Sequence, residues 1–180
     1  MALVKEDDTD AFRQIIQHHQ TPLLNFFCRL GAYIDRAEDC VQETFIKLFN
    51  YRYKYRPTAK FTTFLYTLAR HTWVDECRRR RRFPSNPLYQ EGAGGVLHTP
   101  KSPLIRGDFR SGNCCVDNRL DIQMALGKLS DKLRMTVVLS IYQGLTYEEI
   151  GRILKIPVGT VKSRMSLAFQ QLREVLGDDQ

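Results

Sequence analysis

Between Phe83 and Asn118 the chain reads FPSNPLYQEGAGGVLHTPKSPLIRGDFRSGNCCVDN, with four prolines, a GAGG run and no sustained hydrophobic period. Proline removes a backbone donor and glycine costs chain entropy, so such a stretch builds neither a helix nor a sheet core. It reads as a linker, flexible or ordered only on a partner, and it divides the 180 residues into two small units. On both sides of it the apolar residues recur at helical spacing, and no second strand is available to pair with the one alternating run. The expected fold class is all-α: two small helical domains, residues 1–82 and 119–180, joined by a flexible linker at 83–118.

In the first unit, Asp8, Thr9 and Asp10 can cap a helix from about Ala11. Phe12, Ile15, Ile16, Leu23, Leu24, Phe27, Cys28 and Leu30 form its apolar stripe, and Gly31 stops it. Asp35 can open the next helix, where Ala37, Cys40, Val41, Thr44, Phe45, Leu48 and Phe49 recur at a period near 3.6. This leaves Asp39, Gln42, Glu43, Ile46 and Lys47 on an outer, mainly acidic face. After Pro57, Thr58 and Ala59 complete a loop, and from Lys60 a third helical pattern turns Phe61, Phe64, Leu65, Leu68, Ala69, Trp73 and Cys77 inward. Arg70, His71 and the run Arg78 to Arg82 are left outside, and Pro84 closes the helix.

Charge singles out residues 51–82. The net of +7 divides as −3 over residues 1–50, +8 over 51–82, 0 over 83–118 and +2 over 119–180. A face for a polyanion is expected where that charge concentrates. Tyr51 to Arg56 alternate aromatic and basic residues, and bases stack on aromatic rings while Lys and Arg neutralise phosphates, so the stretch suits single-stranded nucleic acid. The same alternation is also how a half-buried strand reads, and an arginine run can be a solvated helix end. Lying where one helix ends and Pro57 turns the chain, it is expected to be a loop from Tyr53 to Lys60 followed by a backbone-tracking helix.

In the second unit, Leu120, Met124, Leu126 and Leu129 point to a short helix. Ser130 and Asp131 start another carrying Leu133, Val137, Val138 and Ile141, which Gly144 stops. Thr146-Tyr147-Glu148-Glu149 has the capping-box pattern, opening a short helix that exposes Arg152 and buries Ile150, Ile153 and Leu154. Lys155-Ile156-Pro157 makes a tight turn into a longer helix, Val158 to Val175, and two helices so joined form a helix-turn-helix. At about 100° per residue, Val161, Met165, Ala168 and Leu172 share the core side, while Gly159, Thr160, Ser163, Ser166, Leu167 and Gln170 share the other, flanked by Lys162 and Arg164. That small, polar, basic-edged face suits a DNA groove; the plainer alternative is a helical hairpin that binds protein.

Other classes find little support. No apolar run approaches the roughly 20 residues that span a bilayer, and the N-terminus is acidic where a signal peptide is basic then apolar, so a cytoplasmic protein without membrane insertion is expected. Five cysteines, an odd number, lack paired zinc-ligand spacing, so neither a disulfide framework nor a metal is expected. Cys114 and Cys115 read as ordinary thiols, with a redox switch as the alternative. His18 and His19 read as surface or packing residues. Phosphate-cradling glycine loops, nucleophile motifs and carboxylate clusters at metal spacing are missing, so no cofactor and no catalytic role are expected.

The segments AEDCVQETFIKLF (Ala37 to Phe49), FTTFLYTLARHTWVDECRRRRR (Phe61 to Arg82) and LTYEEIGRILKIPVGTVKSRMSLAFQQLR (Leu145 to Arg173) resemble, in order and spacing, bacterial RNA polymerase sigma factors of the extracytoplasmic-function branch. Such proteins consist of region 2 and region 4 joined by a linker. The resemblance implies that Asp39, Gln42, Glu43, Ile46 and Lys47 contact the clamp helices of the largest polymerase subunit. It implies that Tyr53, Lys54, Tyr55, Arg56, Lys60, Phe61, Phe64, Arg70, Arg78 and Arg79 open the minus-10 element and hold a flipped base. Arg152, Thr160, Lys162, Ser163, Arg164, Ser166 and Leu167 become minus-35 contacts, the second domain's apolar surface meets the flap of the second-largest subunit, and the linker threads towards the RNA exit path. Partners are thus core polymerase, promoter DNA both duplex and single-stranded, and in some members an anti-sigma factor. The chain departs from the family pattern at Phe64, His71 and Leu167, where Trp, Asn and Arg are usual. Leu167 cannot grip phosphate but can touch a thymine methyl.

Two rivals remain open at this stage. A free-standing helix-turn-helix repressor or activator explains Leu145 to Arg173 but leaves the acidic helix and the aromatic-basic loop idle. A recombinase with a helix-turn-helix tail needs a nucleophile among arginines, for which Tyr66 beside Arg70 is the one candidate.

Overall fold

The computed structural model describes residues 9–56, 59–82 and 120–177. The expectations placed on Asp8, Pro57, Thr58, Pro84, the 83–118 linker, Cys114 and Cys115 lie outside those residues. Every regular element among the described residues is helical: α1 (Thr9–Arg29), α2 (Ile34–Asn50), a 3₁₀ turn (Arg52–Lys54), α3 (Phe61–Arg82), α4 (Leu120–Lys128), α5 (Asp131–Val137), a π turn (Val138–Tyr142), α6 (Tyr147–Leu154) and α7 (Val158–Gly177).

The first domain packs α2 against both α1 and α3. Gly31 ends α1 at φ +97°, a conformation that favours glycine, and the chain turns directly into α2. Leu23, Phe26, Phe27, Leu48, Leu65 and Ala69 are sealed from solvent, and Trp73 lies beside Phe27 with ring centroids 6.3 Å apart. Asp35 does not cap α2; Tyr33 occupies the cap position without a side-chain bond, and Asp35 sits in the first turn, where its charge complements the helix dipole. Phe49, assigned inward by the period, is 37% exposed at the end of α2.

The second domain wraps α4, α5 and α6 around α7, whose Val161, Met165 and Ala168 are buried as the stripe requires. Two positions differ from expectation. Met124 is 64% exposed and Ala125 takes the core place beside Leu126 and Leu129. Ile141 is 52% exposed because α5 continues as a π turn; the extra residue rotates the following side chains, so Leu139 enters the core instead. The capping box of α6 is complete, with Glu149 N–H donating to Thr146 Oγ1 at 3.3 Å and Thr146 N–H donating to Glu149 Oε2 at 2.8 Å. Lys155 turns the chain at φ 56° between α6 and α7.

The two domains lie against each other. α3 sits between α2 and α6, α1 meets the π turn, and the buried residues of both halves form one continuous cluster.

Candidate nucleic-acid interface

The aromatic and basic alternation after α2 is spent on cation–π stacking rather than on strand pairing. The Arg52 guanidinium lies 3.8 Å from the Phe49 ring centroid and 4.0 Å from that of Tyr53, and it donates to the Phe49 carbonyl at 3.0 Å and to Tyr53 Oη at 2.6 Å. Tyr53 and Lys54 remain exposed on this turn. Tyr55 folds back onto α3, its ring 5.0 Å from Phe64 and 6.5 Å from Phe61. Beside that cluster, Tyr55, Arg56, Ala59, Thr63, Phe64, Thr67 and Arg152 line a cavity of about 380 Å³. Thr67 bonds the Thr63 carbonyl, whereas the buried Thr63 Oγ1 has no hydrogen-bond partner. A concave site with two aromatic rings, two guanidinium groups and an unspent hydroxyl suits an unstacked base with its phosphate.

The arginine run is not uniformly solvated. Glu76 is 4% exposed, and Arg79 Nη1 and Arg80 Nε each approach its carboxylate at 3.3 Å. Arg79 also lies 3.9 Å from Glu43, and Arg78 lies 3.7 Å from Asp75. Arg79 therefore braces the domain as well as facing solvent, a role that its place in a charge run concealed. Arg70, Arg78 and Arg81 face Lys132, Arg164 and the single carboxylate of Asp131 across a second cavity of about 310 Å³.

On α2 the outer face divides in two. Glu43 and Lys47 pair at 2.9 Å, and Lys47 reaches Thr72 at 3.2 Å and Asp75 at 3.3 Å, so both are turned onto α3. Asp39 is exposed and pairs with Arg36 at 3.2 Å. Gln42 and Ile46 instead border an apolar groove of about 440 Å³ with Phe12, Ile16, Val41, Phe45 and Phe49. Ile46 is 60% exposed there. Ile46, an apolar residue that the helical period leaves on the outer face, was the available signal for this groove.

On α7, Lys162, Ser163, Ser166 and Leu167 are exposed, and Ser163 Oγ donates to the Thr160 carbonyl at 3.1 Å. Arg164 turns instead into the cavity shared with α3, and Arg152 of α6 turns over the cavity shared with Tyr55 and Phe64. Two residues expected at the minus-35 element thus face residues expected at the minus-10 element.

Arg134, which lies outside every expectation, helps to hold the domains together, alongside residues singled out for other roles. Arg134 donates to the carbonyls of Leu126 (2.7 Å), Gly127 (2.7 Å) and Leu129 (3.1 Å) at the end of α4, and to that of Leu30 (3.1 Å) at the end of α1. One guanidinium thereby satisfies orphan carbonyls of two helix C-termini, in two domains. The Arg29 guanidinium lies 4.0 Å from the Tyr142 ring centroid, and Lys60 Nζ lies 3.0 Å from Glu149 Oε1. The Tyr66 hydroxyl donates to the Gln143 side chain, and burial raises its pKa, so it is poorly placed as a nucleophile. The Glu149 carboxyl is held below its ordinary value by the Thr146 backbone N–H, with Lys60 adding to the effect. The pKa of His71 is lowered by burial and by the nearby Arg70 and Lys155.

The described residues contain no group of ligating side chains that could hold a metal and no helix long and apolar enough to cross a membrane. The sigma-70 region 2 family matches residues 15–83, and the sigma-70 region 4 family matches residues 125–174. The chain is 33% identical over 177 residues to the ECF RNA polymerase sigma factor SigW of Bacillus subtilis, covering 97% of this chain and 94% of that protein. It is also 33% identical over 163 residues to the ECF RNA polymerase sigma factor SigE of Mycolicibacterium smegmatis, covering 91% of this chain and 60% of that protein. Among solved structures, the sigma factor RpoE in complex with the anti-sigma factor NepR from Bartonella quintana superposes with a TM-score of 0.71 at 26% identity, over 96% of this chain and 100% of that one. With both sigma regions in order on a two-domain helical fold, the chain belongs to the extracytoplasmic-function branch of the sigma-70 family, the sigma factors that give RNA polymerase promoter-specific transcription initiation.

Proposed function

We propose that residues 1–82 bind core polymerase and capture the opened minus-10 strand, that 119–180 read the minus-35 element, and that 83–118 tether the two. The observation that carries this reading is the cavity lined by Tyr55, Arg56, Thr63 and Phe64. Its rings stack a flipped base, Arg56 and Lys60 neutralise the flanking phosphates, and Thr63 Oγ1 turns to the base edge. Tyr53, Lys54, Phe61, Arg70, Arg78 and Arg79 extend the basic track. Duplex reading falls to Thr160, Lys162, Ser163, Ser166 and Leu167, with Arg152 and Arg164 joining from the flanks.

Gln42, Ile46 and the groove beside them supply the apolar part of the polymerase contact, with the exposed Asp39 adding a charge and with Glu43 and Lys47, paired towards α3, contributing from the other side of α2. The protein works in the cytoplasm without chemistry of its own, and the structural likeness to a sigma factor held by NepR supports an anti-sigma partner here too. The test is transcription by purified core polymerase from a random promoter library. Stimulation of a subset of promoters is expected; none on any member refutes the reading. Arg56→Ala should lower permanganate reactivity of promoter thymines more than it lowers duplex binding, and equal losses in both would remove the strand-opening role.

A further inference from the structure

The cavity of about 310 Å³ between α3 and the second domain is walled by five cations and one carboxylate. Arg70, Arg78 and Arg81 come from α3, Lys132 from α5 and Arg164 from α7, with Asp131 as the lone acid. Arg78 is shared with Asp75 at 3.7 Å, but Arg70, Arg81, Lys132 and Arg164 enter no ion pair among the described residues. Like charges brought to one space raise one another's energy, and the cluster would relax if its two sides moved apart. They are held instead, because the buried residues of both halves form one continuous cluster that keeps α3 against α6. The floor of the cavity is apolar: Trp73, Met135 and Leu154 are buried there, and Val74 and Ile156 are half-buried.

We propose that this cavity binds a small molecule bearing two or more phosphates, with the phosphates on the cationic rim and any organic body on the apolar floor. A guanidinium forks two N–H donors onto a phosphate, and three arginines and a lysine without a counter-charge call for more than one negative charge. A monocarboxylate answers one of them, whereas an oligophosphate answers several. Sites for small ligands run from about 300 to 1,000 Å³, so a cavity at the lower end of that range admits pyrophosphate or a compact nucleotide and excludes a duplex. The rim is drawn from both domains, so a bound anion joins Arg81 on one side to Lys132 and Arg164 on the other and steadies their packing. This site stands apart from the promoter reading, in which Arg81 and Lys132 have no part.

Isothermal titration calorimetry of the full chain with pyrophosphate and, separately, with ADP tests the site. Saturable one-to-one binding is expected: equal affinities assign an oligophosphate, and tighter ADP assigns a nucleotide whose base uses the floor. Trp73, the chain's one tryptophan, borders the cavity, so its fluorescence should change along the same saturation curve. Lys132→Ala and Arg81→Gln should each weaken pyrophosphate roughly three- to ten-fold, and Asp131→Asn should tighten it roughly two- to five-fold. All three side chains are exposed, so these substitutions spare the core. Lys128→Ala removes the same charge from an exposed position at the end of α4, outside the cavity, and should leave affinity unchanged. Equal weakening by Lys128→Ala and Lys132→Ala assigns binding to bulk charge and overturns the site. Failure of both small phosphates to bind, with a random-sequence oligodeoxynucleotide still bound, gives the cluster to DNA alone and also overturns it. Because the titration needs neither polymerase nor promoter, either failure leaves the result from the promoter library untouched.

Discussion

Replacing Arg134 with alanine removes one guanidinium from four carbonyls in two domains. Leu126, Leu129 and Leu30 are each no more than 3% exposed, so their carbonyls lose a partner that water reaches poorly, whereas the bond to Gly127 is exposed and easily replaced. At about 1 kcal/mol per carbonyl left without its partner, the loss comes to about 3 kcal/mol, and about one third of it lies in the contact between domains. Arg134→Lys should recover about 1 kcal/mol, because an ammonium cannot fork to four acceptors. The chain's one tryptophan, Trp73, is buried in the first domain, so its fluorescence reports that domain while far-ultraviolet circular dichroism reports both. In urea, the wild-type curves should run close together; in Arg134→Ala the dichroism midpoint should fall first and the tryptophan midpoint only slightly. Equal shifts of both curves, or a total loss below about 0.5 kcal/mol, would refute the two-ended role of this side chain.

Glu76→Gln should destabilise the first domain by about 2 kcal/mol in the same assay, because it leaves the partly buried Arg80 without its carboxylate and Arg79 with only the longer contact to Glu43, discounted for the exposure of both arginines. Ile46→Asp should abolish capture by core polymerase in a pulldown while leaving the urea midpoint unchanged, since the side chain already faces solvent. Leu167→Arg should steepen the salt dependence of duplex binding by about one counterion, read as the slope of affinity against salt. For Glu149 the folded-state pKa is depressed, so its stabilising contribution is whole above the ordinary value of 4.5 and is lost as pH falls below that through the lowered value. In Glu149→Gln, stability should therefore fall less steeply over that acid window than in the wild type, as urea midpoints at successive pH values would show.

Much of this was legible because it is local. The capping box at Thr146 and Glu149, the stop at Gly31 and the stripe of Val161, Met165 and Ala168 each need only neighbours within a few residues, and each lies where its pattern puts it. The misplacements have longer-range causes. Ile141 follows a π turn that a period of 3.6 does not contain. Met124 yields its place to Ala125, which lies fully buried on a helix that packs against α7. Arg79 and Lys47 look solvated in a charge count, and only the approach of α2 to α3 reveals that they are paired. Arg134 carries no sequence signal at all, because its acceptors are backbone carbonyls and one of them lies in the other domain.

The breadth of burial on α3 follows from the same fact. A helix with one partner buries one stripe, but α3 buries Thr63, Tyr66, Thr72 and Glu76 besides Leu65, Leu68, Ala69 and Trp73, because α2 covers one side and α6 another. Among its polar members, Thr72 and Glu76 are bonded within the first domain, by Lys47 and by Arg79 and Arg80, whereas Tyr66 reaches across to Gln143 and Thr63 Oγ1 is left unbonded. Burying leucines in place of Thr63 and Tyr66 would hold the domains together more tightly, at about 25 cal/mol for each Å² removed from water. Contacts with both domains therefore converge on this one helix.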